Sequence, residues 1–256
     1  MERGTRRMRR ALTLAVAAPL ALAAPASAQV TGPPEVLDPD LAVRPAAEGL
    51  AQPTSMAFLG HDDFLVLEKA SGQVKRVRDG EVQGTVLDLA VNSNSERGLL
   101  GIALHPKFKK NGWVYLFWSQ SRSGNDSTSG TDVRPMGNRI DRFEWDHGQL
   151  EFDRNIIKFR AFQADPTNLD QNGNIQVRGN HDGGVIRFGP DGKLYAIVGD
   201  TGRRGQMQNL PTGPFTPPMD DDPFGGPEPD DLHRTGVIVR LDEDGDAPRD
   251  NPFWRV

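Results

Sequence analysis

The sequence contains no cysteine, and this absence excludes several kinds of structure and chemistry. Disulfide bonds, thiolate metal sites, cysteine nucleophiles and lipid attachment through a cysteine all require that residue. The fold must therefore be stabilised by its hydrophobic core or by bound ligands.

Positive charge and several well-known motifs are also scarce. The chain has 30 Lys and Arg residues against 35 Asp and Glu residues, which gives a formal net charge of −5. Nucleic-acid binding, which depends on neutralising phosphates, is disfavoured by this balance. The sequence has no Walker loop, no Gly-x-Ser-x-Gly elbow, no His-Glu-x-x-His motif and no dinucleotide-binding glycine motif after a strand.

Long apolar runs are limited to the N-terminus, where residues 11–24 follow an arginine-rich head. This run is too short to span a bilayer, and Ala26-Ser27-Ala28 offers small residues for cleavage. Residues 1–28 are predicted to be a signal peptide cleaved after Ala28. We therefore expect a periplasmic or secreted protein with no stable membrane anchor, in which residues 29–47 form a flexible lead-in.

From residue 48 onward, short alternating segments separated by turn residues predict an all-β fold. The predicted strands are residues 55–59, 64–68, 73–78, 82–89, 101–104, 113–118, 138–145, 185–188, 194–198 and 236–241. Repeating units that begin near Met56, Ile102 and Val185 favour a β-propeller, with about three blades in residues 48–256. Residues 161–180 and 203–233 are predicted to be loops, because they are rich in Pro, Gly and Asp.

Residues 180–202 contain the most informative stretch of the chain. A tight turn joins two predicted strands, so His181 before the first strand and Asp200 after the second should lie close together. A titratable imidazole beside a carboxylate suits proton transfer. The alternatives are structural: His181 can cap a strand, Asn180 can stabilise a loop, and Gly-Asp-Thr-Gly is a common turn sequence.

Three segments also carry a resemblance to a known family. They are residues 96–106 (ERGLLGIALHP), residues 181–202 (HDGGVIRFGPDGKLYAIVGDTG) and residues 251–253 (NPF). Together they resemble the N-terminal portion of the soluble glucose/sorbosone (aldose sugar) dehydrogenases, which use pyrroloquinoline quinone (PQQ). The resemblance implies a six-bladed propeller, of which this chain would supply the first three blades.

The resemblance also implies roles for individual residues. His181 matches the general base that removes the sugar hydroxyl proton while a hydride passes to PQQ. Asn180 and Glu96 match positions that face the sugar, and the alternative for Glu96 is a solvated charge beside Arg97. Asp200 is expected to bind a sugar hydroxyl, to orient His181 or to support the cofactor pocket. Arg203 and Gln206 are candidates for contacts with PQQ, whose carboxylates need cationic and polar partners.

The expected cofactors are PQQ and Ca²⁺, and the expected substrate is an aldose that is oxidised to its lactone. The family's calcium ligands lie beyond the end of this chain, so we expect no metal ligands within it and little turnover by the chain alone. The electron acceptor is not indicated. Two other functions remain open: a calcium-dependent sugar lactonase on a similar propeller, and a non-catalytic propeller that binds a ligand.

Overall fold

The computed structural model describes residues 36–169, 171–173, 175–202 and 234–252, and most of them lie in antiparallel β-strands. The chain separates into a unit that ends at Arg44 and a unit that begins at Pro45. All strands among the described residues belong to the second unit. Among the residues described, no helix is long and apolar enough to cross a membrane.

The first sheet is a four-stranded antiparallel meander. Its strands, in spatial order, are β1 (Pro53–Gly60), β2 (Asp63–Glu68), β3 (Gln73–Arg78) and β4 (Glu81–Asp88). Asp79 and Gly80 join β3 to β4 with φ angles of 52° and 81°. Two successive left-handed residues make a type I′ turn, whose twist matches that of the flanking strands.

The second sheet repeats this arrangement. It consists of β5 (Leu99–Leu104), β6 (Trp113–Ser121), β7 (Val133–Asp146) and β8 (Gln149–Phe159), and the short helix α1 (Phe108–Asn111) lies between β5 and β6. His147 and Gly148 form the same kind of left-handed two-residue turn between β7 and β8. The sequence analysis did not predict strand β8. Its charged residues interrupt the alternation of apolar and polar side chains that usually identifies a strand, and its pairing with β7 is not visible in the sequence.

The remaining strands form a small hairpin and a third sheet. The hairpin pairs β9 (Gln163–Leu169) with β10 (Ile175–Arg178), so the prediction that residues 161–180 are a loop is wrong. The third sheet contains β11 (Ile186–Phe188), β12 (Leu194–Val198) and β13 (Val237–Leu241). The predicted loop at residues 203–233 lies outside the described residues.

The core lies between consecutive sheets, and the central sheet is covered on both faces. In β6, Val114, Leu116 and Trp118 pack toward the first sheet, whereas Tyr115 and Phe117 pack toward the third. Side chains alternate between the faces of a strand, so five consecutive apolar residues can serve two cores. Each large side chain buried in this way contributes roughly 1.5–3 kcal/mol of hydrophobic free energy.

Three antiparallel sheets packed face to face in chain order form an arc of propeller blades, which confirms the predicted fold class. The two outer faces of the arc retain exposed apolar side chains. Met56 and Phe58 lie on β1, and Val185, Ile197 and Ile238 belong to the third sheet or its edge. Apolar surface therefore remains exposed on the first sheet and on the third sheet.

Candidate active site

Three loops meet at one end of the second and third sheets. One loop precedes β5 and carries Glu96, one precedes β11 and carries His181, and one follows β12 and carries Asp200. The structure therefore brings together three residues that are far apart in the sequence. Polar groups on neighbouring blade ends are a common basis for ligand sites.

His181 and Asp200 form the centre of this cluster. Nδ1 of His181 lies 2.7 Å from Oδ1 of Asp200, and the His181 side chain is 55% exposed. The hydrogen bond to Asp200 is the largest cause that raises the pKa of His181 above its ordinary value. Since a carboxylate oxygen only accepts, Nδ1 donates, and in the neutral ring Nε2 is then free to accept a proton.

Glu96 lies directly against His181. Its Oε2 accepts a hydrogen bond from the backbone N–H of His181 at 2.5 Å. Glu96 is exposed, but it does not pair with Arg97, which is buried and donates to Asn94 and Gly130. Glu96 is therefore part of the cluster.

Asn180 is held by the loop that follows β12. A Cβ atom on Gly202, whose φ angle is 79°, would lie only 1.7 Å from Oδ1 of Asn180, so the carboxamide packs directly against this glycine. The backbone N–H of Gly202 donates to Oδ1 of Asp200 at 2.9 Å. The turn of residues 199–202 thus places Asp200 and supports Asn180 at the same time.

Cofactor contacts were predicted for Arg203 and Gln206, and both residues lie outside the part of the chain that the structure describes. Within that part, no group of three or more His, Asp and Glu side chains could hold a metal ion. At this cluster the described residues thus supply proton-handling and hydrogen-bonding groups.

Sequence reasoning missed a buried polar group beneath His181. Asp182 is 1% exposed, and its Oδ1 accepts a hydrogen bond of 2.8 Å from Nδ2 of Asn138. Burial raises the pKa of Asp182 to about 6, against the lowering effects of Asn138 and Arg97. The one signal in the sequence was the placement of Arg97 and Asp182 beside the predicted site residues Glu96 and His181.

The chain was compared with known protein families and proteins. The family model described as glucose/sorbosone dehydrogenase matches residues 50–256. Quinoprotein glucose dehydrogenase B of Acinetobacter calcoaceticus is 25% identical over 218 residues, which cover 80% of this chain and 40% of that protein. The mouse Hedgehog-interacting protein is 28% identical over 238 residues, which cover 84% of this chain and 28% of that protein.

Solved structures give a consistent picture. The PQQ-bound aldose sugar dehydrogenase of Streptomyces coelicolor matches with a TM-score of 0.54 and 26% identity, over 82% of this chain and 50% of that one. The chain thus spans at most half the length of these relatives.

Proposed function

The chain belongs to the glucose/sorbosone dehydrogenase family, and from this premise we propose that it supplies the catalytic base and sugar contacts for PQQ-dependent oxidation of an aldose to its lactone. The observation that carries the proposal is the solvent-open imidazole of His181, held 2.7 Å from Asp200. A base of this kind must reach substrate on one nitrogen while a partner fixes the other.

The proposed role of His181 is to take the proton from the anomeric hydroxyl of the sugar. Nε2 accepts the proton, while Asp200 holds the ring in the tautomer that leaves this nitrogen unprotonated. The electron pair of the broken O–H bond then forms the carbonyl of the lactone, and the C–H hydrogen departs with its bonding pair. Bound PQQ would supply the chemistry of a two-electron hydride acceptor.

Sugar binding is proposed for Glu96 and Asn180. One carboxylate oxygen of Glu96 bonds the His181 backbone, and no bond from a described residue reaches the other. That oxygen can accept from a sugar hydroxyl beside the imidazole, and the Asn180 carboxamide offers both a donor and an acceptor. These contacts would orient the anomeric hydroxyl toward Nε2.

The described residues fit the sugar side of such a site better than the cofactor side. PQQ carries three carboxylates, but Arg97, whose charge acts on the neighbouring Asp182, is buried. Arg203 and Gln206 remain proposed cofactor contacts outside the described residues. Calcium rests on the family resemblance alone, and no step proposed for these residues runs through it.

Export is also proposed, from the composition of residues 1–28. A sugar dehydrogenase outside the cytoplasm would pass its electrons to an acceptor in that compartment.

The test is a dye-linked sugar oxidation assay with PQQ and Ca²⁺, run on this chain and on any longer form that its gene encodes. We expect His181→Ala to reduce kcat by at least about a hundredfold, the usual contribution of a general base. The matched control is His147→Ala, since His147 also pairs with an adjacent carboxylate but lies in an exposed hairpin turn. Equal activity of the two variants, in a form of the protein whose wild type oxidises sugar, would refute the proposed base.

A second function is favoured by one specific observation, the 28% identity to the Hedgehog-interacting protein, whose name denotes a binding protein. On this alternative the chain is part of a non-catalytic propeller that binds a ligand. It predicts no PQQ-linked turnover in any length of the protein and ligand affinity that is unchanged by His181→Ala. The lactonase alternative would need convergent metal-binding carboxylates, and the described residues offer no such cluster.

A further inference from the structure

The backbone of His181 is in a conformation that needs support from its surroundings. Its φ angle is 56°, in the left-handed region that residues with a side chain rarely adopt. Such residues persist where neighbouring structure over-determines them, often at functional sites. The contacts around His181 should therefore reveal which groups hold it in place.

Two contacts hold the backbone of His181 directly. The backbone N–H of His181 donates to the carboxylate of Glu96. The carbonyl oxygen of His181 packs against Gly199, where an added Cβ atom would lie 2.1 Å from that oxygen. These contacts fix the peptide groups on both sides of the residue. They do not hold the chain that follows, where Gly183 and Gly184 have positive φ angles and add freedom.

Asp182 is the anchor of that following segment. It points into the protein while His181 points outward, and its carboxylate bonds Asn138 on β7 at 2.8 Å. Asn138 is itself fully buried, donates to the carbonyl of Arg160 at 2.9 Å and accepts from Ser119 on β6. The loop of His181 is thus tied to two strands of the central sheet.

Arg97 supports the same segment from the other side. It is 1% exposed, Asn94 and Gly130 accept hydrogen bonds from its Nη2, and a Cβ atom on Gly179 would lie 3.3 Å from its Cζ. Its positive charge lowers the pKa of Asp182, so the two buried groups attract each other. When one of two buried opposite charges is removed, the other loses its compensation, so each charge constrains the position of its partner.

We propose that Asp182, through its hydrogen bond to Asn138 and its attraction to Arg97, is a positioning residue that holds the imidazole of His181 against Asp200. The proposal rests on the proposed function only in so far as His181 is the base. The charged groups that act on Asp182 are Arg97, Glu96 and His181. A carboxylate with no direct access to substrate thereby controls the geometry of the group that handles the proton.

The test measures the pKa of His181 by NMR titration of the imidazole C–H signals in the full chain, without sugar or PQQ. Asp182→Ala removes the acceptor for Asn138, and we expect the His181 pKa to fall to the value found in Asp200→Asn. Because the charge of Asp182 also raises the pKa of His181 directly, Asn138→Ala, which removes the donor and retains both carboxylates, must lower the pKa as well. The exchange variant Asn138→Asp with Asp182→Asn restores a hydrogen bond between the two positions, and we expect it to recover most of the wild-type pKa. His61 and His147, which lie in exposed turns, serve as internal references.

A wild-type His181 pKa in a folded Asn138→Ala protein would overturn the proposal, as would a parallel change at His61 and His147. Since Asn138→Ala removes the same hydrogen bond from the other side, it decides the question even if Asp182→Ala does not fold. The readout is independent of turnover. If the dye-linked assay shows no sugar oxidation while the variants lower the His181 pKa as expected, the dehydrogenase function is refuted and the positioning role of Asp182 stands.

Discussion

Replacement of Asp182 by Asn should flatten the pH dependence of the free energy of unfolding. The folded-state pKa of Asp182 is raised by burial to about 6, against an ordinary value of 3.8. A group with a raised pKa contributes stability that is fully present below its unfolded pKa and lost as the pH rises through its folded pKa. The two values differ by about 2.2, which corresponds to a loss of about 3 kcal/mol across the whole window.

The accessible part of this window is somewhat smaller. Between about pH 4.5 and about pH 8, the same linkage predicts a loss of roughly 2 kcal/mol in the wild type that Asp182→Asn lacks. The attraction between Arg97 and the ionised Asp182 carboxylate is already one of the causes that set the folded-state pKa, so its loss in Asp182→Asn is part of the same difference in slope. Any cost of the substitution that does not depend on pH shifts the whole curve, so the slope is the quantity to compare.

Urea unfolding followed by tryptophan fluorescence, repeated across this pH range, measures the slope directly. Asp88→Asn is the matched control, because it makes the same chemical change at an exposed strand position. Its curve should run parallel to that of the wild type. Parallel curves for Asp182→Asn and wild type would show that the Asp182 carboxylate is not held at a raised pKa, and the reasoning from burial would be wrong.

Three further predictions concern other parts of the molecule. Asp200→Asn removes the main cause of the raised pKa of His181, so the acid limb of the dye-linked rate should move to lower pH; an unmoved limb contradicts this. Gly183→Ala places a Cβ atom 2.1 Å from the carbonyl oxygen of Ile197, whereas Gly192→Ala meets open space at a similar φ angle. Urea unfolding should show that Gly192→Ala lowers the free energy of unfolding by roughly 1 kcal/mol and that Gly183→Ala lowers it by clearly more. Equal losses in the two variants would show that the clash at position 183 does not occur. Ile238→Lys adds charge to an apolar face where Ile238 is 68% exposed, so light scattering should report less self-association than in the wild type.

The sheets were largely predictable because period-two alternation is a local property of the sequence. Strands β3 and β12 have the predicted bounds, and most others differ by a few residues at their ends. Strand β8 was not predictable in this way, because it carries several exposed charged residues. Its extended conformation depends on hydrogen bonds to its partner strand β7, which the sequence of β8 does not reveal. The hairpin of β9 and β10 was missed for a related reason, since its Pro, Gly and Asp content indicates a loop.

In the site as well, contacts between residues close in the sequence were predictable, and contacts between distant residues were not. The proximity of His181 and Asp200 follows from a short hairpin, so the sequence was enough to predict it. The contact of Glu96 with the His181 backbone spans 85 positions and two blades, and only the resemblance to a family placed Glu96 at the site. The resemblance assigned Glu96 a contact with sugar, and the structure adds a bond to the backbone of the base.

Asp182 shows why the rest of the site required a structure. It is the immediate neighbour of His181 in a glycine-rich loop, where no periodic pattern indicates which side chain points inward. Its burial is decided by Asn138, which lies 44 positions away in the chain and is itself fixed by Ser119. A carboxylate in such a loop would ordinarily be solvated, and its pKa would stay low. Because this carboxylate is instead buried against the central sheet, desolvation raises its pKa although the hydrogen bond from Asn138 lowers it, and the residue becomes sensitive to pH near neutrality.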